Sequence, residues 1–418
     1  MRESINESAR ELPVNDAFDV IVAGGGIAGV AAAVAAARNS AKVCLLDKQS
    51  ALGGLATLGN VTTWLPLCDG MGRQVIAGLG EELLKLSASD PLSGKTPSCF
   101  RGIPSCWLSG GDAKERAKTR YLTEFNPAAY MLALEKLVVE SGVKLIYDTR
   151  ICAARPEAGR ISHVIVENKS GRFALACGAV VDATGDADVC FMAGEDTESL
   201  DSNVLSGWFY ILRNGELELQ YLSNSFCPLA TRAGGTGPFF RGDDGDQVTD
   251  QILKTRELIR ARLSGLRAQY AGEDVQLILP PTMACFRMTR RLVGRRTLGE
   301  KHMHHWFDDA VGLMGDWRKA GPVYSLPLGA LLAVRTSNLL AAGRCISADT
   351  TIWDVTRAIP GCAVSGEAAG TAAAMAVRHA GSDLNALPIR GLQQQLQSQG
   401  VLLDPELTKP AGRPGEKK

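Results

Sequence analysis

No C-x-x-C pair occurs anywhere in the chain, although it carries 11 cysteines. Zinc ribbons and thioredoxin-type redox centres are thereby excluded. An odd cysteine count, and a polar, acidic stretch over Met1–Ala17 in place of a signal peptide, lead us to expect reduced thiols and a cytoplasmic protein. Net charge is lacking too: Lys plus Arg and Asp plus Glu number 45 each. Bulk electrostatics therefore favours neither nucleic acid nor an acidic membrane surface as partner. Long apolar runs are absent. Ala31–Ala37 falls far short of the ~20 residues of a membrane span, so none is expected. Histidines number five, and the tight group His302, His304 and His305 has no acidic or Cys spacing beside it, so no metal is expected. There are no internal repeats.

Glycine, by contrast, is abundant, with 45 residues in a chain of 418. That length predicts two domains, or one large domain with an insertion. Phe18–Ala23 (FDVIVA) reads as a buried parallel strand. Gly24, Gly26 and Gly29 then fill the positions of G-x-G-x-x-G, an Ala-rich helix follows over Val30–Arg38, and Lys42–Leu46 (KVCLL) is a second strand ending at Asp47. Each part has a mechanical reason. Gly24 allows the tight turn, Gly26 lets backbone approach a pyrophosphate at the positive helix end, and Gly29 permits close helix packing. Asp47 can accept hydrogen bonds from a ribose. The result is a dinucleotide site, with FAD and NAD both open at this point. A second motif of this kind is missing, since Gly234-Gly235-Thr236-Gly237 has neither the spacing nor a preceding strand.

Three further segments bear on that choice: DKQSALGGLATLGNVTTW at Asp47–Trp64, VVDATGDADVCFMAG at Val180–Gly194, and YSLPLGALLAVRTSNLLAAGRCISAD at Tyr324–Asp349, running on into RAIPGCAVSGEAAGTAAAMAV at Arg357–Val377. With RMTRRLVG at Arg287–Gly294, they resemble the FAD-dependent oxidoreductases of the glutathione-reductase-like superfamily, in the branch related to fumarate-reductase-type flavoproteins. The resemblance implies noncovalent FAD, because no His flanks Gly53-Gly54 as a covalent anchor would require. It places the turn Ala183-Thr184-Gly185-Asp186 along the adenosine half, Gly343 and Arg344 near the pyrophosphate and ribityl chain, and the N-terminus of the helix after Pro360 at the flavin ring. Arg344 can pair with phosphate. The full set expected at the cofactor is Gly24, Gly26, Ile27, Ala28, Gly29, Asp47, Lys48, Gly54, Leu55, Thr57, Ile151, Thr184, Gly185, Asp186, Gly343, Arg344, Gly361 and Cys362. Cys362 has two readings, a thiol near the flavin with its pKa lowered by the helix end, or a small packing residue; packing is the favoured one.

The expected fold is α/β: a discontinuous Rossmann-type FAD-binding domain (17–63, 126–200 and 323–385) with an inserted α+β substrate or cap domain (201–322). A loop-rich lid over 64–125 and a disordered tail over 405–418 complete the organisation. Asn126–Ser141 reads as an amphipathic helix stopped by Gly142. Val143–Tyr147, Ile161–Glu167, Phe173–Cys177 and Val180–Asp182 read as strands, and Gln251–Tyr270 as the clearest cap helix. Candidate catalytic groups are Arg291 and Arg287, for gripping a carboxylate or delivering a proton, His305 as a base, Tyr324 as a donor, and Cys362. On a helix Arg287 and Arg291 would share a face; a strand would alternate them differently, and the pattern leaves both open.

The function expected is hydride transfer between a small organic substrate and flavin N5, as a dehydrogenase. Two alternatives stand beside it: an NAD-dependent dehydrogenase, and a binding or assembly protein with structural FAD. The electron acceptor and any homo-oligomer are left open by the sequence.

Overall fold

The computed structural model of the chain describes residues 5, 7, 9–89, 97–222 and 238–411. The expectation for Gly234–Gly237 lies outside the described residues.

A parallel βαβ unit opens the fold: β1 (Val14–Ala23), α1 (Ile27–Arg38) and β2 (Val43–Leu46). Residues 20–23 of β1 and all of β2 are buried, as β-branched and leucine side chains covered on both faces should be. The segment expected to be a lid has more structure than its composition implied. It holds β3 (Thr63–Trp64), α2 (Leu79–Ala88) and β4 (Thr123–Glu124). Leu79, Leu83 and Leu84 of α2 are buried, with the helix against α1.

Next comes α3 (Pro127–Glu140), which starts where Asn126 accepts from the backbone N–H groups of Ala128 and Ala129, with Pro127 in its first turn. β5 (Lys144–Ile146) and β6 (Arg150–Ala153) follow, then the hairpin of β7 (His163–Asn168) and β8 (Gly171–Asp182). The separate strands expected over Phe173–Cys177 and Val180–Asp182 are one: β8 runs unbroken for 12 residues. Its first half pairs with β7 and its last three residues with a later strand. Gly178 lies between the two pairings, where a Cβ would come within 2.7 Å of the Asp19 carbonyl oxygen.

Beyond β8 are α4 (Asp188–Met192) and β9 (Thr197–Ser199). A second layer is then built from β10 (Trp208–Arg213), β11 (Glu216–Tyr221), α5 (Gly245–Gln269) and β12 (Val275–Leu279). The three strands form an antiparallel sheet in the order β11-β10-β12. Together with α5 they enclose a small core of their own, made by Phe209, Ile211, Ile259, Leu266 and Val275.

The chain returns through β13 (Arg290–Leu292), the hairpin of β14 (Ala310–Gly315) and β15 (Val323–Pro327), β16 (Leu339–Ala341), α6 (Trp353–Thr356) and α7 (Ile359–His379). The boundary expected at residue 323 cuts this hairpin, whose buried side chains belong to the main core. Two last helices are α8 (Ile389–Ser398) and α9 (Pro405–Thr408). The tail expected to be disordered from Pro405 begins instead with α9, capped by Asp404, and Arg73 donates to the Lys409 carbonyl.

The principal sheet has seven strands in the order β5-β2-β1-β8-β7-β6, with β16 also paired to β8. β5, β2, β1, β8 and β16 are parallel, so their carboxyl ends share one edge. Open α/β sheets bind ligands at that edge. α7 closes one face against α1. Cβ atoms added at Gly366 and Gly370 would fall 2.2 and 2.0 Å from the Ala28 and Ala32 carbonyl oxygens, so only glycine lets the two helices approach this closely.

Candidate functional site

At the carboxyl edge lies a cleft of about 1460 Å³ of empty space, its solvent mouth included. Its floor is the glycine turn. Gly24 has φ of +99°, a conformation that L side chains rarely adopt, and a Cβ there would lie 2.6 Å from the Ala183 carbonyl oxygen. Gly26 starts α1 without any side-chain cap, so the first-turn N–H groups point outward with the positive end of the helix. A Cβ at Gly26 would meet nothing, because the residue faces the cleft. Gly29 lies behind it, where a Cβ would fall 1.7 Å from the Gly24 carbonyl oxygen.

Asp47 ends β2 at the cleft wall and is buried. Its carboxylate accepts from the Gly25 and Gln49 N–H groups at 2.5 and 2.6 Å. Burial pushes its pKa up, and those two bonds offset part of that rise.

A second wall is the turn after β8. Asp182, fully buried, accepts from the Thr184 hydroxyl at 2.6 Å, the Thr184 N–H at 3.1 Å and the Cys190 N–H at 2.9 Å. Arg344 spans this turn: it donates to the Gly185 carbonyl at 2.6 Å, to the Asp186 carboxylate at 2.8 Å and to the Phe286 carbonyl at 2.9 Å. Burial pulls the Arg344 pKa down, but facing Asp186 outweighs this and the net shift is upward. The guanidinium expected to reach a phosphate is thus engaged by protein acceptors, and its visible work is to hold the turn. Arg344 does line the cleft.

The third wall is the start of α7. Ile359 and Cys362 face the cleft, and the helix N-cap, Ala358, has no side-chain bond. The Cys362 thiol is 3.2 Å from the Arg357 carbonyl oxygen, and burial pushes its pKa up to about 12. That direction runs against a thiol with a lowered pKa, and the packing reading suits its surroundings.

Of the residues expected at the cofactor, fifteen line this cleft, while Gly29, Thr57 and Gly361 do not. Thr57 donates its hydroxyl to the Leu52 carbonyl. Gly361 packs against the backbone of Val355 and Thr356. The sequence reading missed Gln49, Thr149, Arg150, Asp188 and Arg357, all of which line the cleft. An Arg immediately before the glycine-rich helix was the available signal for Arg357.

A smaller cavity of about 720 Å³ adjoins the cleft and shares Leu55, Arg357 and Ile359 with it. Val61, Leu65, Trp208 and Trp317 make its apolar wall, and Ser206 and Arg287 its polar one. Arg287 is the only expected catalytic group found here, and its Nη2 lies 3.3 Å from the Ser206 hydroxyl.

Cys362 lines the cleft, whereas Arg291, His305 and Tyr324 line neither cavity. Arg290–Leu292 is a strand, not a helix, and its register puts Arg291 opposite Glu198, with which it is ion-paired. His305 is exposed and packs edge-on to Phe307, with ring centroids 4.6 Å apart. Its neighbour His304 donates Nδ1–H to the Thr408 carbonyl at 2.7 Å. Tyr324 is fully buried in β15, and its hydroxyl has no hydrogen-bond partner. Among the described residues no group of three or more His, Cys, Asp or Glu is placed to hold a metal ion. No helix among them is long and apolar enough to cross a membrane.

A glycine turn against an uncapped helix, an acid closing the second strand and a third wall from the chain's last long helix define a dinucleotide-binding flavoprotein architecture. The chain belongs to the FAD dependent oxidoreductase family, whose sequence model matches residues 19–203 and 222–396. It is a flavoenzyme of that family and its cofactor is FAD, which replaces the NAD alternative. The residues present fit that group: Gly26 leaves room for backbone contact, and the α1 and α7 N-termini are uncapped.

Solved structures with a similar fold include a geranylgeranyl bacteriochlorophyll reductase-like protein from Thermoplasma acidophilum, at 12% identity, TM-score 0.46, covering 92% of this chain and 82% of that one. A flavocytochrome c3 fumarate reductase matches at 15% identity and TM-score 0.39, over 86% and 78% of the two chains. The p-nitrophenol 4-monooxygenase of Pseudomonas putida matches at 10% and 0.45, over 92% and 85%.

Proposed function

We propose that the chain transfers a hydride between FAD and a small organic substrate bound in the side cavity, acting as a dehydrogenase. The observation that carries this reading is the side cavity itself, which is largely apolar and shares Leu55, Arg357 and Ile359 with the cleft. Bound FAD supplies a two-electron carrier that takes or gives a hydride at N5. The first turn of α1 and Gly26 would hold the pyrophosphate, Asp47 the ribose, and the start of α7 the ring, all without a covalent bond. Trp208 and Trp317 would exclude water and fix the substrate's orientation. Arg287 is the substrate-side cation. Cys362, with a thiol that keeps its proton at neutral pH, packs against the site and takes no nucleophilic part. In domain terms the cap is the layer of β10, β11, β12 and α5, and the rest serves FAD.

Leu65 lines the side cavity but not the cleft. Leu65→Trp should fill the first and spare the second. The expected outcome is a protein that keeps its flavin yet bleaches at least about 100-fold more slowly, in anaerobic mixing, with any small molecule that reduces the wild type. An unchanged bleaching rate would place the substrate elsewhere.

A further inference from the structure

The side cavity carries two guanidinium side chains, Arg287 and Arg357, and no carboxylate among its lining residues. They project into walls that are otherwise mostly apolar. Arg357 is ion-paired through Nη2 with Asp354, a carboxylate that is 3% exposed and stands behind the wall instead of in it. Trp317, part of the same wall, donates its indole N–H to the Asp354 carbonyl at 3.0 Å. Asp354 therefore fixes one end of the guanidinium, and Arg357 lines both the side cavity and the cofactor cleft. Arg357 is a positioned cation where the two cavities adjoin.

We propose that the side cavity takes a small organic acid, an apolar body bearing a carboxylate, with that carboxylate held by Arg357 and Arg287. This rests on the side cavity being the substrate site. Guanidinium groups lining a largely apolar space select against a cation and bond a charged acceptor more strongly than a neutral one. A carboxylate makes charge-assisted bonds to guanidinium groups, and planar guanidinium suits its two oxygens. Trp208 and Trp317 offer flat apolar surface to the body of the same molecule. A carboxylate placed there also stands beside Ile359 and Leu55, which both cavities share, so its apolar part is directed along the junction. Arg357 is the specificity-determining residue in this arrangement, and Asp354 positions it.

The test uses the FAD-loaded protein and reads the flavin absorption spectrum, which needs no turnover. Benzoate and cyclohexanecarboxylate are titrated beside benzamide and cyclohexanecarboxamide, matched in shape but uncharged. Both acids should perturb the spectrum saturably and bind at least about tenfold more tightly than their amides. Arg357→Gln and Arg287→Gln should each weaken acid binding to the flavin-loaded protein at least about tenfold, and Arg287→Gln, at a position outside the cofactor cleft, should do so with flavin content unchanged. Amides binding as tightly as acids, acids that do not bind, or variants with undiminished acid affinity would each overturn the proposal. Flavin loss in Arg357→Gln without loss of acid selectivity would overturn it too, by assigning that guanidinium to the cofactor. Leu65→Trp separates the two readings. If it blocks amides that bind as well as acids, the site stands and the charge argument fails. If it leaves acid binding untouched, the side cavity is not the site.

Discussion

Gly26 and Gly29 are three residues apart and answer to different constraints. Gly26 has φ of −66°, which alanine adopts freely, and a Cβ there meets no protein atom. Its lack of a side chain serves only what enters the cleft. At Gly29 the added atom would overlap the Gly24 carbonyl. Gly26→Ala should leave thermal unfolding of the apoprotein within about 0.5 kcal/mol of wild type while weakening FAD binding at least about tenfold in a flavin-fluorescence titration. Gly29→Ala should cost more than about 4 kcal/mol and yield little folded protein. Undiminished FAD affinity in Gly26→Ala would mean that the cofactor does not come against this residue. These glycines were legible in the sequence because each requirement is local to one turn. The engagement of Arg344 with Asp186 was not, because the partners stand 158 positions apart and meet only when the fold closes. Arg291 misled for a related reason. An Arg-rich run looks the same whether it faces a cavity or a partner strand, and only the pairing with β9 puts Glu198 across from it.

Elements were read well where an Ala-rich run or a capping residue marks the helix, as in α1, α3 and α7, and poorly where a helix is short and carries neither. α2 is such a case: it begins at Gly78, with φ of +58° and no side-chain cap of its own. Its cap comes from another helix. Glu367 of α7 accepts the Leu79 N–H at 2.9 Å. Burial pushes the Glu367 pKa up to about 8, and the nearby Glu82 adds to the rise. Because the folded protein binds this proton more tightly than the unfolded chain does, the contribution to stability is fully present below the unfolded carboxyl value. It is lost as pH rises towards 8. Glu367→Gln keeps an acceptor oxygen and removes the charge. Its melting temperature should stay near that of wild type at pH 5 and exceed it by a margin that grows as pH rises from there towards 8 and levels off above. A margin that shrinks as pH rises would show that the ionised carboxylate is the better cap for α2.

Across the molecule, the two hydrophobic clusters set what can loosen independently. The main core runs through the principal sheet, α1 and α7. The cap core consists of five buried side chains between α5 and the antiparallel sheet. Among the described residues, several hydrogen bonds tie this small layer to the cofactor side, the Thr282 N–H to the Leu58 carbonyl among them. The Asn60 amide donates to the Trp208 and Leu279 carbonyls, both at 3.2 Å, and the Thr62 and Tyr210 hydroxyls share a hydrogen bond. The sequence announced the first core through its motifs and, of the second, only the helix α5, since packing of α5 on β12 obeys no local rule. Small cores open as units at lower free energy than larger ones around them. Ile259→Ala removes a side chain that is 3% exposed from the cap core, a change worth about 2–5 kcal/mol at a buried site. Amide hydrogen exchange should speed up through α5 and β10–β12, while β1, β8 and α1 keep their protection and FAD stays bound. Substrate-driven bleaching should fall, because Trp208 of β10 belongs to the side cavity. Equal loss of protection in β1 and α5 would instead make the two cores one cooperative unit, with FAD and substrate held by a single body.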